Sequence, residues 1–267
     1  MKTIIRELCN EDYHGAEEYR GYISSSMIKR ISKDGIYEFA KQEKFIPSPT
    51  LDFGTACHAY FFEFDTFDDI VYVMEEERMN WTTREGKVQR DHFNKMNEAK
   101  EQVILWPADM VRIKAIWKNF ELTYPAYAKQ FRANQQNSEL SVFVENWRGH
   151  KAKVRLDHYG ESKMGATIFD LKTTFDVVTN KNVKREIAKY QYDVQDVMYR
   201  EVTGADAFVF IFVKSTHPFT VQCINITNNY MLEGADLQIR YSLEQYEEYK
   251  ANPDSILPTY EGGITEI

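Results

Sequence analysis

LSVFVEN (140–146), KAKVRLDHY (151–159) and ATIFDLKTT (166–174) decide the fold of this 267-residue chain. Each run is short, rich in β-branched or aromatic residues, and separated from the next by turn residues at 146–149 and 160–165, which predicts three consecutive antiparallel strands. Downstream, VKREIAKYQYDVQDVMYRE (183–201) has helical spacing of Ile187, Tyr190, Val194, Val197 and Met198 on one side. AFVFIFVKS (207–215) is a continuous apolar run, the pattern of a central strand covered on both faces. TVQCINI (220–226) adds a strand, and 229–250 an amphipathic helix.

Upstream the chain is helical in character. Serines 24–26 precede MIKRI as N-cap candidates, and a second helical stretch is expected around 35–43, ended by Pro47 and Pro49. SPTLDFGTACHAYFFEFDTF (48–67) traces a helix apolar over most of its surface. A polar helix carries Arg84, Lys87 and Arg90 three residues apart, and 98–135 is helical, with Pro107 and Pro125 at helix starts or breaks. The expectation is an α/β architecture in a single domain, 1–267. Residues 1–23 form a polar N-terminal arm, 24–135 a helical part, 136–226 the sheet core, and 227–267 a C-terminal helix and tail.

The formal net charge of −8 excludes indiscriminate adhesion to nucleic acid over the whole surface, because phosphate binding needs locally positive potential. Residues 151–190 are the exception: nine Lys and Arg against five acids, net +4. Three widely spaced cysteines, Cys9, Cys57 and Cys223, give neither a disulfide framework nor a zinc knuckle. No apolar run suits a bilayer span and no signal-peptide core is present, so a cytoplasmic, membrane-free protein is expected.

Asp157 and Asp170 fall near the ends of two neighbouring strands, where their carboxylates can converge on one hard divalent cation. Lys172 lies two residues after Asp170, on the same strand face, so the ammonium can orient a water and neutralise phosphate charge. Asp-x-Lys is common in surface ion pairs. Here it follows the apolar Thr167-Ile168-Phe169, and carboxylates at the end of a buried strand are costly without a cation. His58 reads either as a hydrogen-bonded core residue or as a ligand which, beside two aspartates, suits a cation somewhat softer than Mg²⁺, such as Mn²⁺. Gly54 lets its helix approach the sheet, and Glu63 and Glu139 are weaker candidates for water-mediated metal contact. Gln195 and Tyr199, at i and i+4, share a helix face from which the amide can reach the lysine or a phosphate and the hydroxyl a backbone phosphate; Tyr192 joins them or packs.

GTACHAYFFEFDTF (54–67), KVRLD (153–157), FDLKTT (169–174) and YQYDVQDVMYREV (190–202) resemble the PD-(D/E)xK nuclease superfamily, and within it the RecB-like branch marked by GxxxH, D, D-x-K and QxxxY. The likeness is greatest to the phage-type RecE (exonuclease VIII) group, whose N-terminal helix and RRTKxGK-like segment are similar to ISSSMIKRI (23–31) and WTTREGKVQ (81–89). The resemblance implies a restriction-endonuclease-like αβββαβ core with additional N-terminal helices. It implies an Mg²⁺- or Mn²⁺-dependent exonuclease that digests linear double-stranded DNA from 5′ to 3′ in recombination. Partners would be double-stranded DNA ends, a RecT-like single-strand annealing protein and further copies in a ring.

On this resemblance His58, Asp157, Asp170 and the Leu171 carbonyl hold metal, and Asp157, Asp170, Lys172, Gln195 and Tyr199 are catalytic. Arg84, Lys87, Lys153, Arg155, Thr173 and Tyr192 are assigned to DNA contact. The Arg-Pro-Asp common in the group is Arg155-Leu156-Asp157 here. The four-cysteine iron–sulfur clamp of some relatives is absent, so no cluster is expected. Two alternatives are an end-binding module without catalysis and an endonuclease or single-strand nuclease of the same fold.

Overall fold

The structure is a computed structural model, and it describes residues 2–5, 8–41, 49–99 and 102–253. In chain order the elements are β1 (Lys2–Ile5), α1 (Asn10–Gly15), α2 (Ser25–Ala40), α3 (Pro49–Phe62), α4 (Phe67–Ile70), β2 (Val71–Val73), α5 (Arg84–Ala99), β3 (Val103–Leu105), α6 (Pro107–Thr123), α7 (Pro125–Ala133), β4 (Ser138–Trp147), β5 (His150–Ser162), β6 (Gly165–Thr174), α8 (Asn180–Tyr190), α9 (Tyr192–Thr203), β7 (Ala207–Lys214), β8 (Val221–Asn225) and α10 (Asn229–Ala251). A six-stranded sheet runs β1-β4-β5-β6-β7-β8. It is antiparallel except for β6 and β7, whose parallel pairing requires the crossover through α8 and α9.

The alternation of β7 shows how the layers form. Phe208, Phe210 and Phe212 pack into a core with Ile28 of α2, Val194 and Met198 of α9 and Ile239 of α10. Val209, Ile211 and Val213 pack on the other face, with Phe61 of α3, Ile113 and Phe120 of α6 and Phe131 of α7. Period-2 side chains on a strand buried on both sides make an α/β/α sandwich, as the apolar run predicts.

Several local expectations are revised. Residues 2–5 are not part of a free arm: they pair antiparallel with 141–144 and form the sheet edge. The helix expected over 183–201 is two helices, because Gln191 adopts a left-handed backbone, φ 52 and ψ 47, that caps α8. Gly35, φ 81, interrupts α2 where a second helix was expected to begin. Within 71–73 and 103–105, read as polar or helical stretches, lies a small parallel sheet of β2 and β3. Pro107 and Pro125 sit in the first turns of α6 and α7, where a missing N–H costs nothing. Pro49 opens α3 instead of ending a helix; Pro47 and the tail at 254–267 lie outside the described residues.

Candidate active site

β5 and β6 pair from Ser162↔Gly165 to His158↔Phe169, and the ladder stops there. Asp157 and Asp170 are the next residues on the two strands. They lie mid-strand, not at the strand ends, and the separation of the ladder creates the opening that strand ends would have provided. Asp157 Oδ2 bridges it by accepting a hydrogen bond from the Leu171 N–H at 2.9 Å. The Leu171 carbonyl leaves the strand on that same side.

The parity of β6 sends side chains to both faces. Ile168 enters the core beneath α9, whereas Phe169 and Leu171 enter the core beneath α3. Asp170 and Lys172 share the parity of Ile168 and meet α9. Lys172 Nζ is 2.6 Å from Asp170 Oδ2, and Gln195 Nε2 donates to Asp170 Oδ1, also at 2.6 Å. Gln195 therefore holds the aspartate and not the lysine. The Lys172 ammonium lies 4.7 Å from the centre of the Tyr192 ring, so Tyr192 is part of the site wall. Tyr199 is buried, packs edge-on against Phe208 at 5.7 Å and has its hydroxyl at Ser25. Tyr199 thus packs α9 onto β7.

From the opposite face α3 delivers His58. Its Nε2 is 3.1 Å from Glu139 Oε1 and 3.4 Å from Asp157 Oδ2, and its Nδ1 is 3.5 Å from Glu63 Oε2. Glu139 lies between the pairs Ser138↔His158 and Leu140↔Leu156, abreast of Asp157, with a left-handed φ of 51. Such a residue kinks an edge and re-aims its side chain. Among the described residues, the donor atoms of His58, Glu63 and Glu139 all fall within 4.8 Å of one another. The two glutamates read as weaker candidates are therefore adjacent to the histidine. A Cβ on Gly54 would meet Thr173 Oγ1 at 3.5 Å, ordinary contact distance, so α3 lies close over β6 as expected.

Charge follows from this packing. Burial works to lower the His58 pKa, but Asp157 and Glu139 outweigh it and hold the imidazole protonated well above its usual range. Burial likewise works to raise Asp157, and the His58 cation, Lys172 and the Leu171 amide bring its carboxyl below its ordinary value. Asp170 is pushed up to about 6 by burial and by repulsion from Asp157, against the pull of Lys172. The Lys172 ammonium stays charged because Asp170 and Asp157 overcome the cost of burying it.

These residues fit a hard divalent cation once the His58 ring gives up the proton that Asp157 and Glu139 favour, since only the neutral imidazole can be a ligand. Asp170 Oδ2 and His58 Nε2 are buried, the first 2.6 Å from Lys172 Nζ and the second 3.1 Å from Glu139 Oε1 and 3.4 Å from Asp157 Oδ2. Two carboxylates that repel one another, an imidazole nitrogen and a backbone carbonyl make an oxygen-rich donor set of that kind.

The residues assigned to DNA divide. Lys153 is 6% exposed, and its Nζ donates to the carbonyls of Tyr13 at 2.6 Å and Tyr19 at 3.2 Å. Arg155 pairs with Glu139 and donates to the Leu8 carbonyl at 3.0 Å. Both act as staples for residues 8–22, because the β5 register turns 153 and 155 toward that segment. Arg84 and Lys87 are exposed on α5, and Thr173 faces α3. Of the basic segment, Lys151, Lys163, Lys181, Lys184, Arg185 and Lys189 are exposed, four of them on α8.

One site residue has no sequence forerunner. Lys29 of α2 sits 5.7 Å from the Tyr192 ring, and burial together with the nearby Lys172 charge lowers its pKa to about 8. The Ser24 cap, which accepts from the Met27 N–H, starts α2 where Lys29 falls on the inner side. ISSSMIKRI contains that cap signal, but nothing in it says which sheet face the helix covers.

A family model described as a PDDEXK-like domain of unknown function (DUF3799) matches residues 24–260. A crystal structure of a Eubacterium rectale protein, described as a "putative exonuclease", is similar in fold with a TM-score of 0.57 at 18% identity, over 95% of this chain and 96% of that one. A second solved structure, SSO0001, has a TM-score of 0.26 at 14% identity over 48% of this chain and 71% of its own. No curated protein sequence matches the chain. With the family model spanning nearly all of the described fold, the chain belongs to the PDDEXK-like DUF3799 family.

Proposed function

We propose that the protein is a divalent-metal-dependent exonuclease acting on linear double-stranded DNA from 5′ to 3′, in recombination of the phage or prophage type. The observation that carries this reading is the meeting of Asp157, Asp170, Lys172 and His58 across the unpaired gap between β5 and β6. The RecE-like motif set and the printed description of the Eubacterium rectale protein support exonuclease over endonuclease.

Asp157, Asp170, His58 and the Leu171 carbonyl would hold Mg²⁺ or Mn²⁺, with Glu139 and Glu63 beside them. A bound divalent cation supplies polarisation of a phosphoryl oxygen and lowers the pKa of a water. Lys172 contributes a fixed positive charge. With Asp170 on one side it remains an ammonium at neutral pH, so it orients a water and offsets phosphate charge without acting as a general base. Gln195 fixes Asp170 through Oδ1 and leaves Oδ2 turned to the lysine. Tyr192 limits the water around both. A RecT-like annealing partner and a ring-shaped homo-oligomer belong to the same proposal.

The test is digestion of 5′- and 3′-end-labelled linear duplex beside closed circular duplex and single strands, with Mg²⁺, Mn²⁺ or EDTA. Release of 5′ label from linear duplex alone, abolished by EDTA, is expected. Cutting of closed circles identifies an endonuclease, and binding without cleavage in either metal identifies a silent end-binding module; both outcomes reject the proposal.

A further inference from the structure

Past Lys172, β6 runs through Thr173 and Thr174 to Phe175, and these three residues form one wall of a cavity of 330 Å³. The opposite wall comes from the segment before α5, from α5 itself and from the start of α6. Phe93 and Trp106 stack there with ring centres 5.0 Å apart at 18°, and Trp81 leans on both at 6.0 and 6.4 Å. Two guanidinium groups reach the same space: Arg78 lies 4.1 Å over the Trp81 ring, and Arg112 lies 4.2 Å over Phe53. Arg112 is immobilised by Asp109 at 2.7 Å and by the Ser215 carbonyl at 2.9 and 2.7 Å.

Three features define what such a cavity recognises. Planar aromatic and guanidinium surfaces suit a flat heteroaromatic ring, and stacking of this kind tolerates any base. The Trp81 indole N–H is buried and has no hydrogen-bond partner among the described residues. Asp52 and Asp109 also line the cavity and balance Arg78 and Arg112, so its lining carries no net formal charge, which suits an uncharged base. Phe175 is 63% exposed, an aromatic face open at the rim. The volume is at the lower end of small-ligand sites and suits one base with part of its sugar.

Location completes the argument. The cavity opens at the carboxyl ends of the parallel pair β6 and β7, the place where α/β sheets present their ligand crevice. Thr173 to Phe175 lie within roughly 10 Å of Lys172 along the strand at about 3.3 Å per residue. Lys172 faces α9 and Thr173 faces α3, so the cavity lies on the α3 side of the sheet, and its residues Asp52 and Phe53 sit on the helix that also carries His58; a DNA strand entering the site from the His58 side would bring an adjacent base toward it.

We propose that this cavity binds one unpaired base of the DNA strand whose phosphate occupies the site. The inference rests on the nuclease reading for its setting, and its test is independent of hydrolysis. The full chain in EDTA is titrated with a short fluorescent oligothymidylate, reading anisotropy and tryptophan emission. The expected result is quenching that Trp81→Phe reduces, Trp106 of the same wall remaining, and affinity that falls roughly tenfold in Phe175→Ala and in Arg78→Ala while far-UV circular dichroism stays unchanged. An abasic oligonucleotide of equal length should bind more weakly and leave emission untouched. Equal binding of the abasic strand, or wild-type affinity in both surface variants, overturns the proposal. If the wild-type chain hydrolyses no DNA in Mg²⁺ or Mn²⁺ yet base-dependent quenching persists, the nuclease reading falls and the base pocket stands. If it degrades duplex and the variants bind as wild type, only the pocket falls.

Discussion

Asp157 and Leu171 are joined by one hydrogen bond, carboxylate Oδ2 to backbone amide at 2.9 Å, at the point where β5 and β6 stop pairing. A side chain thus takes over from the ladder and holds two strands apart by its own length. The same carboxylate is 3.4 Å from His58, so strand separation and the charge balance of the site depend on one residue.

Replacing Asp157 with Ala should therefore act twice. The Leu171 amide loses its acceptor, at a cost of about 1–3 kcal/mol if no water replaces it. Metal-linked stabilisation should also vanish. For the wild-type chain, Mn²⁺ at a hundredfold excess over its dissociation constant should add about 2.7 kcal/mol to unfolding stability. Thermal melts with and without Mn²⁺ decide this: a variant stabilised as much as wild type would remove Asp157 from the ligand set. Because the Asp170 carboxyl is pushed up to about 6, protons compete with the metal, and the Mn²⁺-induced shift should shrink as pH drops below about 6.

Lys172→Ala should lower the hydrolysis rate by roughly 10²–10³, the usual loss on removing one charge-stabilising donor. Deletion of the ammonium also leaves Asp170 with less compensation, so its carboxyl should shift further up and the acid limb of metal binding should move to higher pH. Steady-state rates on linear duplex, beside a Mn²⁺ titration at two pH values, separate the two effects. An active Lys172→Ala protein would falsify the role given to the lysine.

The sheet and the two aspartates were legible because strand parity is written in the residues: apolar Ile168 and Phe169 beside polar Asp170 and Lys172 state which positions are buried and which are chemical. The break at Gln191 was not legible, since a left-handed cap without glycine leaves no compositional mark in a periodic helix. The contacts of Lys153 and Arg155 with residues 8–22 were not legible for a related reason. Local positive charge reports an attraction for anions, but the β5 register and the path of residues 8–22 decide whether the partner is a phosphate or a carbonyl. Glu139 and Lys29 reach the site only through tertiary packing, one by a left-handed kink at the start of β4 and the other by the docking of α2.

These contacts give a sharp contrast between two lysines. Lys153→Met should destabilise the fold by about 1–3 kcal/mol, because the Tyr13 and Tyr19 carbonyls lose their donor. It should leave the salt dependence of DNA binding as it is. Lys184→Ala, on the exposed side of α8, should leave stability near wild type and reduce the slope of log affinity against log salt by about 0.9 if it meets one phosphate. Urea unfolding and fluorescence anisotropy across a salt series measure both. A reduced slope in Lys153→Met would place that residue on the DNA surface.

His158 offers a pH dependence separate from metal binding. It is fully buried, stacks on Phe62 at 10° and shares a 2.9 Å hydrogen bond between Nδ1 and Ser138 Oγ. Burial lowers its pKa to about 4, against some attraction from Asp157. In the unfolded chain the ring takes up a proton near its ordinary value of 6.5, whereas in the folded chain it stays neutral until about 4. The stability it contributes is therefore complete above pH 6.5 and declines as pH falls from 6.5 toward 4. At pH 5 the loss should be about 2 kcal/mol, from roughly 1.4 kcal/mol per unit of separation. Urea midpoints at pH 7 and pH 5 for wild type and His158→Asn measure it: the variant starts less stable, because a ring is lost from the stack, but its drop between the two pH values should be smaller by about that amount. An equal drop in both proteins would show that acid destabilisation arises elsewhere.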